Sequence, residues 1–206
     1  FVVSTGNFGN VFAGWLLTKM GISIKGFRVA TNRNDVLHRL FDSGEYSLDS
    51  VVPSLAPSMD IQVASNFERL LYYLMKNDAR RVRDVMENFG QKGRYCFEDF
   101  VADGFSSSSA GDHEIPEIIT SVNKRFGYLV DPHTACAFKN LCTDENSLVL
   151  ATAHPAKFPK VYEDAGMPLP ISPVLEKLLT KEPVKYRASV DSMCIRSFLD
   201  RHCLKN

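Results

Sequence analysis

The chain has 206 residues, 45% of them hydrophobic and 23% charged, as expected of a globular domain of good size. Its 24 basic and 24 acidic residues cancel, which argues against a nucleic-acid or membrane-surface protein, and no apolar run is long enough to cross a bilayer. The five cysteines (Cys96, Cys136, Cys142, Cys194 and Cys203) form no CxxC pair and no zinc-ligand spacing. They read as free, mostly buried thiols in a reducing compartment, so the expected location is cytoplasmic, with no metal site.

In chain order, Phe1 to Val3 reads as a buried strand that runs into the loop "TGNFGN". Behind it Val11, Phe12, Trp15 and Leu16 recur at helical spacing, with Trp15 in the core and Gly21 as the stop. Phe27 to Thr31 predicts a second strand, and Val36, Leu37, Leu40 and Phe41 one face of a helix ending at Gly44. Pro53 to Ala64 is irregular. Ser65 and Glu68 then make a candidate capping box ahead of a stripe of Phe67, Leu70, Leu71, Leu74 and Met75. Val82, Val85, Met86 and Phe89 form the next stripe, and Arg80, Arg81 and Arg83 beside Asp78, Asp84 and Glu87 read as its solvated face.

Residues 104–113, "GFSSSSAGDH", have the composition of a linker or mobile loop. Ile115, Ile118, Ile119, Val122 and Phe126 mark another helix. "YLVDPHTA" predicts a short strand, then a helix with Asp131 as N-cap and Pro132 in first position. Ser147 to Ala151 predicts a buried strand, Thr152 and Ala153 a turn, and Pro155 a helix running to about Gly166. Ser172 and Pro173 open a short helix, and Cys194, Ile195, Phe198 and Leu199 lie on the last one. Strands alternating with helices predict an α/β protein.

The "TGNFGN" loop joins a strand end to a helix start. Gly6 and Gly9 are expected to take positive φ and to leave room for a close ligand, while unpaired amides and the helix dipole point at one spot. A tight turn that binds nothing and a phosphate cradle explain two glycines equally well. The P-loop lysine is missing, as are the third glycine and acidic partner of a dinucleotide site. "ATAHPAKF" also lies at a strand's carboxyl end, and Thr152 offers a hydroxyl there. His154 and Lys157, on the first turns of a helix, read as surface or packing residues. Asn66 and Arg69 could reach a substrate, but a capping segment and a surface arginine explain them at least as well. Asp131 and His133 could line the site, though Asp131 is explained as an N-cap. His38, His113 and His202 show no partner pattern and read as surface or structural groups.

"TGNFGN", "ATNRND", "PSMDIQVASNFERL", "DPHTA" and "LATAHPAKFP" occur in this order, and together they resemble threonine synthase. The resemblance covers nearly the whole chain and weakens around 91–113 and 167–206. It implies a pyridoxal-phosphate-dependent, tryptophan-synthase-β-like fold: α/β, part of an open, mostly parallel sheet with helices on both faces. It implies that Gly6, Asn7, Phe8, Gly9 and Asn10 hold the phosphate of pyridoxal 5′-phosphate, and that Thr152 contacts the pyridine nitrogen. The reaction implied is a carbon–oxygen lyase reaction on a phosphate, from O-phospho-L-homoserine and water to L-threonine and phosphate. In the family the Schiff-base lysine precedes this loop, so no catalytic lysine is assigned here.

The chain is therefore expected to be the C-terminal half of an enzyme, beginning inside a strand, incomplete alone and partnered by the N-terminal half. Residues 1–166 would belong to the cofactor-binding domain, with a helical insertion near 77–126, and 167–206 would be a helical extension. Two alternatives stand beside this reading. One is a phospho-lyase acting on related phosphohydroxy amino acids, and the other a catalytically incomplete fragment that binds only cofactor or partner.

Overall fold

A computed structural model of the chain describes residues 1–98, 100, 102–141 and 146–203. The first compact unit, Phe1–Ile171, contains β1 (Val2–Ser4), α1 (Gly9–Lys19), β2 (Phe27–Thr31), α2 (Val36–Ser43), β3 (Glu45–Ser47), α3 (Phe67–Leu74) and α4 (Ala79–Lys92). It continues with β4 (Arg94–Cys96), β5 (Phe105–Ser109), α5 (Ile115–Phe126), α6 (Pro132–Phe138), β6 (Val149–Leu150) and α7 (Pro159–Asp164). Short 3₁₀ turns occupy Pro57–Met59 and Pro155–Lys157.

Four strands form the main sheet in the order β5–β2–β1–β6, every pairing parallel. Residues alternate between its two faces. Val3 and Val29 point to the side of α1 and α2, where Phe8, Val11, Phe12, Leu37 and Leu40 close a core completed by Tyr46, Phe67, Leu70 and Phe89. Each such side chain contributes about 1.5–3 kcal/mol by leaving water. The other face carries a level row of small residues, Ser4, Ala30 and Ser108, across three strands. Small side chains let α6 lie close, with Ala135 and Ala137 fully buried. Helices thus cover both faces of an open parallel sheet, which is the fold class the sequence and its resemblance imply.

Several local expectations are corrected. The serine-rich 104–113 segment is no linker: Phe105–Ser109 pairs residue for residue with Phe27–Thr31 as an edge strand. Its backbone carries the pairing, Phe105 packs on Phe27 and Phe41, and Ser109 Oγ donates to the Asn32 carbonyl. His38 accordingly has a partner, its Nδ1 lying 2.8 Å from Ser107 Oγ. The Ser65–Glu68 box does not form, because α3 starts one residue later with Asn66 as N-cap, and the Asn66 amide donates away from its own helix to the Asn7 carbonyl. No strand precedes Asp131. The expected helix from Pro155 is a 3₁₀ turn and then α7, separated where Pro159, lacking an N–H, starts a new helix.

Of the four described cysteines, only Cys136 is buried, and Cys96, Cys194 and Cys203 are exposed, so these four are not mostly buried. These four are free, and Cys142 lies outside the described residues. Burial, followed by the charges of Asp131 and Asp112, pushes the Cys136 thiol up to about 12, which makes it a packing residue and not a reactive one.

The second unit, Ser172–Asn206, contains α8 (Pro173–Leu179) and α9 (Ser192–His202). Ser172 Oγ caps the first by accepting from Leu175 N–H, and the Asp191 carboxylate caps the second by accepting from Cys194 N–H, which lowers its pKa. Tyr186, Phe198 and His202 pack against one another, edge-on or tilted, with centroids 4.5–5.2 Å apart.

The strand assignment of the serine run is tested by amide hydrogen exchange. The amides of 105–109 that point at β2 are expected to exchange at least about tenfold more slowly than those of an unstructured serine-rich peptide. Exchange across 104–113 at the unstructured rate would restore the linker.

Candidate functional site

The loop after β1 is built by four interlocked hydrogen bonds. Thr5 Oγ1 accepts from Phe8 N–H at 3.0 Å, Asn7 Oδ1 accepts from Gly9 N–H at 3.0 Å, and the Asn7 carbonyl accepts from both N–H groups of Asn66 at 3.1 Å. The left-handed residue is Phe8, at φ 67°, and not Gly6 or Gly9. A side chain in that conformation costs about 1–2 kcal/mol, and burying the ring offsets it. That ring is fully buried, with Phe41, Phe67 and Phe105 at centroid distances of 5.7, 6.2 and 6.1 Å.

The glycines serve approach instead of handedness. A Cβ on Gly6 would lie 3.0 Å from Met59 Cα, and one on Gly9 would meet only the ends of Asn7 and Asn66, at 3.2 and 3.4 Å. The backbone N–H groups of Gly6, Asn7, Asn10 and Val11 have no acceptor among the described residues; Asn7 and Asn10 are exposed, Gly6 is half-buried and Val11 is buried. They sit at the N-terminus of an 11-residue helix that has no acidic residue in its first turn. Backbone amides without acceptors beside a helix N-terminus have the chemistry to receive an anion. Donors without acceptors and a glycine too crowded for a Cβ fit a phosphate group.

Thr152 is brought to the same rim. β1 and β6 pair Val2 with Val149 and Val3 with Leu150, so Thr152 follows two residues past the carboxyl end of the strand beside β1, at the edge where Thr5 follows β1. It is exposed, and its hydroxyl has no partner among the described residues. His154 turns back instead, its Nδ1 accepting from Ala156 N–H at 3.1 Å, and Lys157 is exposed on the same turn.

Sequence reasoning missed a polar core beside the loop. Asn32, fully buried, donates to Ser54 Oγ at 2.8 Å and Asp60 Oδ1 at 2.7 Å, and Asn34 donates to the same carboxylate oxygen at 2.8 Å. Asp60 in turn accepts from Ser54 N–H at 2.9 Å. The effect is to fasten residues 52–60 to the carboxyl end of β2. The available signal was two asparagines in "ATNRND", straight after a strand, where exposed turn chemistry is the usual reading.

Asp131 and His133 also do more than expected. The Asp131 carboxylate caps α6 by accepting from the backbone N–H groups of His133 and Thr134, and it bonds the Thr134 hydroxyl. His133 Nδ1 lies 2.9 Å from Asp131 Oδ1, and its Nε2 accepts from Ser58 N–H at 3.0 Å. Burial works against ionisation of Asp131, but the His133 and Thr134 hydrogen bonds outweigh it and hold the carboxyl below its ordinary value. Asn66 serves the loop, while Arg69 is exposed beside a cleft of about 730 Å³ between α1, α3 and α4 that contains none of the loop residues. Among the described residues no group of three or more His, Cys, Asp or Glu is placed to hold a metal, and no helix is long and apolar enough to cross a membrane.

No protein-family model matches the chain. It is 42% identical over 176 residues to a threonine synthase of Pseudomonas aeruginosa, covering 81% of this chain and 38% of the relative. A threonine synthase-like 2 protein of Rattus norvegicus is 34% identical, covering 81% of this chain and 36% of that protein. The solved structure of PLP-bound threonine synthase from Brucella melitensis superposes with a TM-score of 0.80 at 35% identity, over 97% of this chain and 45% of that one. The chain thus has the fold of that enzyme and spans about two-fifths of the length of the curated relatives it matches.

Two outcomes follow for the site. Gly6→Ala sets a methyl group against backbone and is expected to lower unfolding free energy by about 1–3 kcal/mol, whereas Gly9→Ala costs under about 1 kcal/mol; urea midpoints distinguish them. Because the Asp131 pKa is lowered on folding, its stabilisation is complete above the unfolded value near 4 and is lost as pH falls through the lower folded value. Asp131→Asn keeps a cap but not the charge, so the stability gap between wild type and variant is expected to be about 1–2 kcal/mol at pH 6 and to shrink below about pH 4.

Proposed function

We propose that this chain, alike over most of its length to proteins named threonine synthase, supplies the cofactor-phosphate half of a threonine synthase active site. The reaction is conversion of O-phospho-L-homoserine and water into L-threonine and phosphate, and the cofactor is pyridoxal 5′-phosphate. The observation that carries this reading is the set of unpaired amides at Gly6, Asn7 and Asn10 after β1, with the free Thr152 hydroxyl two residues past the end of β6, the strand paired with β1. The roles follow from chemistry. Amides and helix dipole hold a phosphate without a cationic side chain, so Gly6, Asn7, Phe8, Gly9 and Asn10 form its seat. Thr152 bonds the ring nitrogen, and a hydroxyl, unlike a carboxylate, does not keep that nitrogen protonated. When bound, the cofactor supplies the electron sink for elimination at the substrate's γ carbon and hydration at its β carbon.

The lysine that attaches the cofactor, and most substrate-phosphate ligands, belong in this reading to the N-terminal half of the enzyme, which is this chain's partner. Lys157 is exposed on the turn after Thr152 and takes no role. Residues 1–166 are then the C-terminal half of a cytoplasmic enzyme's cofactor-binding domain, with 77–126 as an insertion that returns β5 to the sheet and 167–206 as an extension. The likeness to a threonine synthase-like 2 protein keeps a second reading beside this one, a phospho-lyase acting on related phosphohydroxy amino acids such as phosphothreonine.

The test uses the full-length protein carrying this chain. Asn10→Pro removes one donor in the first helical turn, where proline is tolerated. It is expected to weaken pyridoxal 5′-phosphate binding about tenfold or more and leave binding of phosphate-free pyridoxal unchanged. Equal weakening of both ligands, or of neither, would remove the phosphate seat from this loop. Threonine and phosphate formed in equal amounts from phosphohomoserine support the synthase, and turnover of phosphothreonine alone supports the lyase.

A further inference from the structure

We infer that His133 is a positioning residue that holds both rim loops in place as a neutral imidazole protonated on Nδ1. The tautomer follows from its partners. Ser58 N–H can only donate, so Nε2 accepts it at 3.0 Å and carries no proton. Nδ1 therefore bears the hydrogen and donates to Asp131 at 2.9 Å. Asp131 is itself fixed by the first turn of α6, so the ring has one orientation.

From there two contacts lead outward. Ser58 precedes Met59, whose Cα sits where a Cβ on Gly6 would come within 3.0 Å, so the tethered 3₁₀ turn forms the wall behind the phosphate loop. On its other side the imidazole packs on Phe158 with ring centroids 4.8 Å apart, and Phe158 closes the turn that follows Thr152. His133 is only 3% exposed, and the chain shows it touching neither loop's outward amides nor Thr152. Its action on the site therefore passes through Ser58 and Phe158. Where the site is named as one for cofactor phosphate, the inference rests on the proposed function; the tether itself rests on geometry alone.

The test compares His133→Ala with His133→Gln in the full-length protein, since a glutamine carbonyl reaches about as far as Nε2 and can accept from Ser58. Two readouts are followed: hydrogen exchange of the 55–62 segment, and the dissociation constant for pyridoxal 5′-phosphate. His133→Ala is expected to speed exchange and weaken binding, each about tenfold, with His133→Gln returning both to within about threefold of wild type. A His133→Ala protein that matches wild type in both, or a His133→Gln protein as impaired as it, overturns the inference. Nitrogen-15 shifts of wild-type His133 decide the matter even where the alanine variant does not fold. An Nδ1-protonated ring supports the tether, and an Nε2-protonated or cationic ring at neutral pH refutes it. A wild-type protein that binds no pyridoxal 5′-phosphate removes the proposed function, while exchange and tautomer still judge the tether.

Discussion

The rim of this fold depends on one strained residue. Phe8 stands in a left-handed turn that most side chains avoid, and it remains there because its ring is fully buried among three other phenylalanines and its amide is capped by Thr5. Strain of that kind persists only where surrounding structure over-determines it. Its consequence is directional. With Phe8 facing inward, the chain turns sharply enough for α1 to start at Gly9, and the exposed residues Asn7 and Asn10 keep backbone N–H groups without acceptors among the described residues. The ring pays for the turn, and the turn exposes the donors.

Parallel pairing does the rest. Because β1 lies between β2 and β6 with all three running the same way, three strand ends open on one edge. One end carries the amide cradle, the next Thr152, and the third the buried asparagines that fasten residues 52–60 beside them. Ligands of open parallel sheets gather at such edges. The His133 hydrogen bond and the Asn32–Asp60 network both reach the 54–60 segment, so the backbone behind Gly6 is held at Ser54, Ser58 and Asp60.

Elements with strong periodicity were legible from the residues. β2 lies where Phe27 to Thr31 predicts it, and Gly44 ends α2 in the left-handed conformation its position suggests. Asp131 caps α6 as expected. β5 was not legible, since a strand made of four serines has no hydrophobic alternation and owes its existence to the β2 edge. The loop was legible as a candidate anion site, but its mechanism was misjudged. Flexibility was assigned to the glycines, while the left-handed turn fell on Phe8, because a buried aromatic cluster assembled from distant residues cannot be seen in a local pattern. The polar network was hidden for the same reason: Asn32, Ser54 and Asp60 meet only after β2 and the 52–60 segment have packed.

The central claim is that backbone amides beside Phe8 receive a phosphate, and amide chemical shifts during titration with pyridoxal 5′-phosphate test it most directly. The account predicts that the largest proton shifts fall on Gly6, Asn7 and Asn10, with inorganic phosphate moving the same three in the same direction. Shifts that leave these amides in place and gather instead around the cleft between α1, α3 and α4 would contradict it.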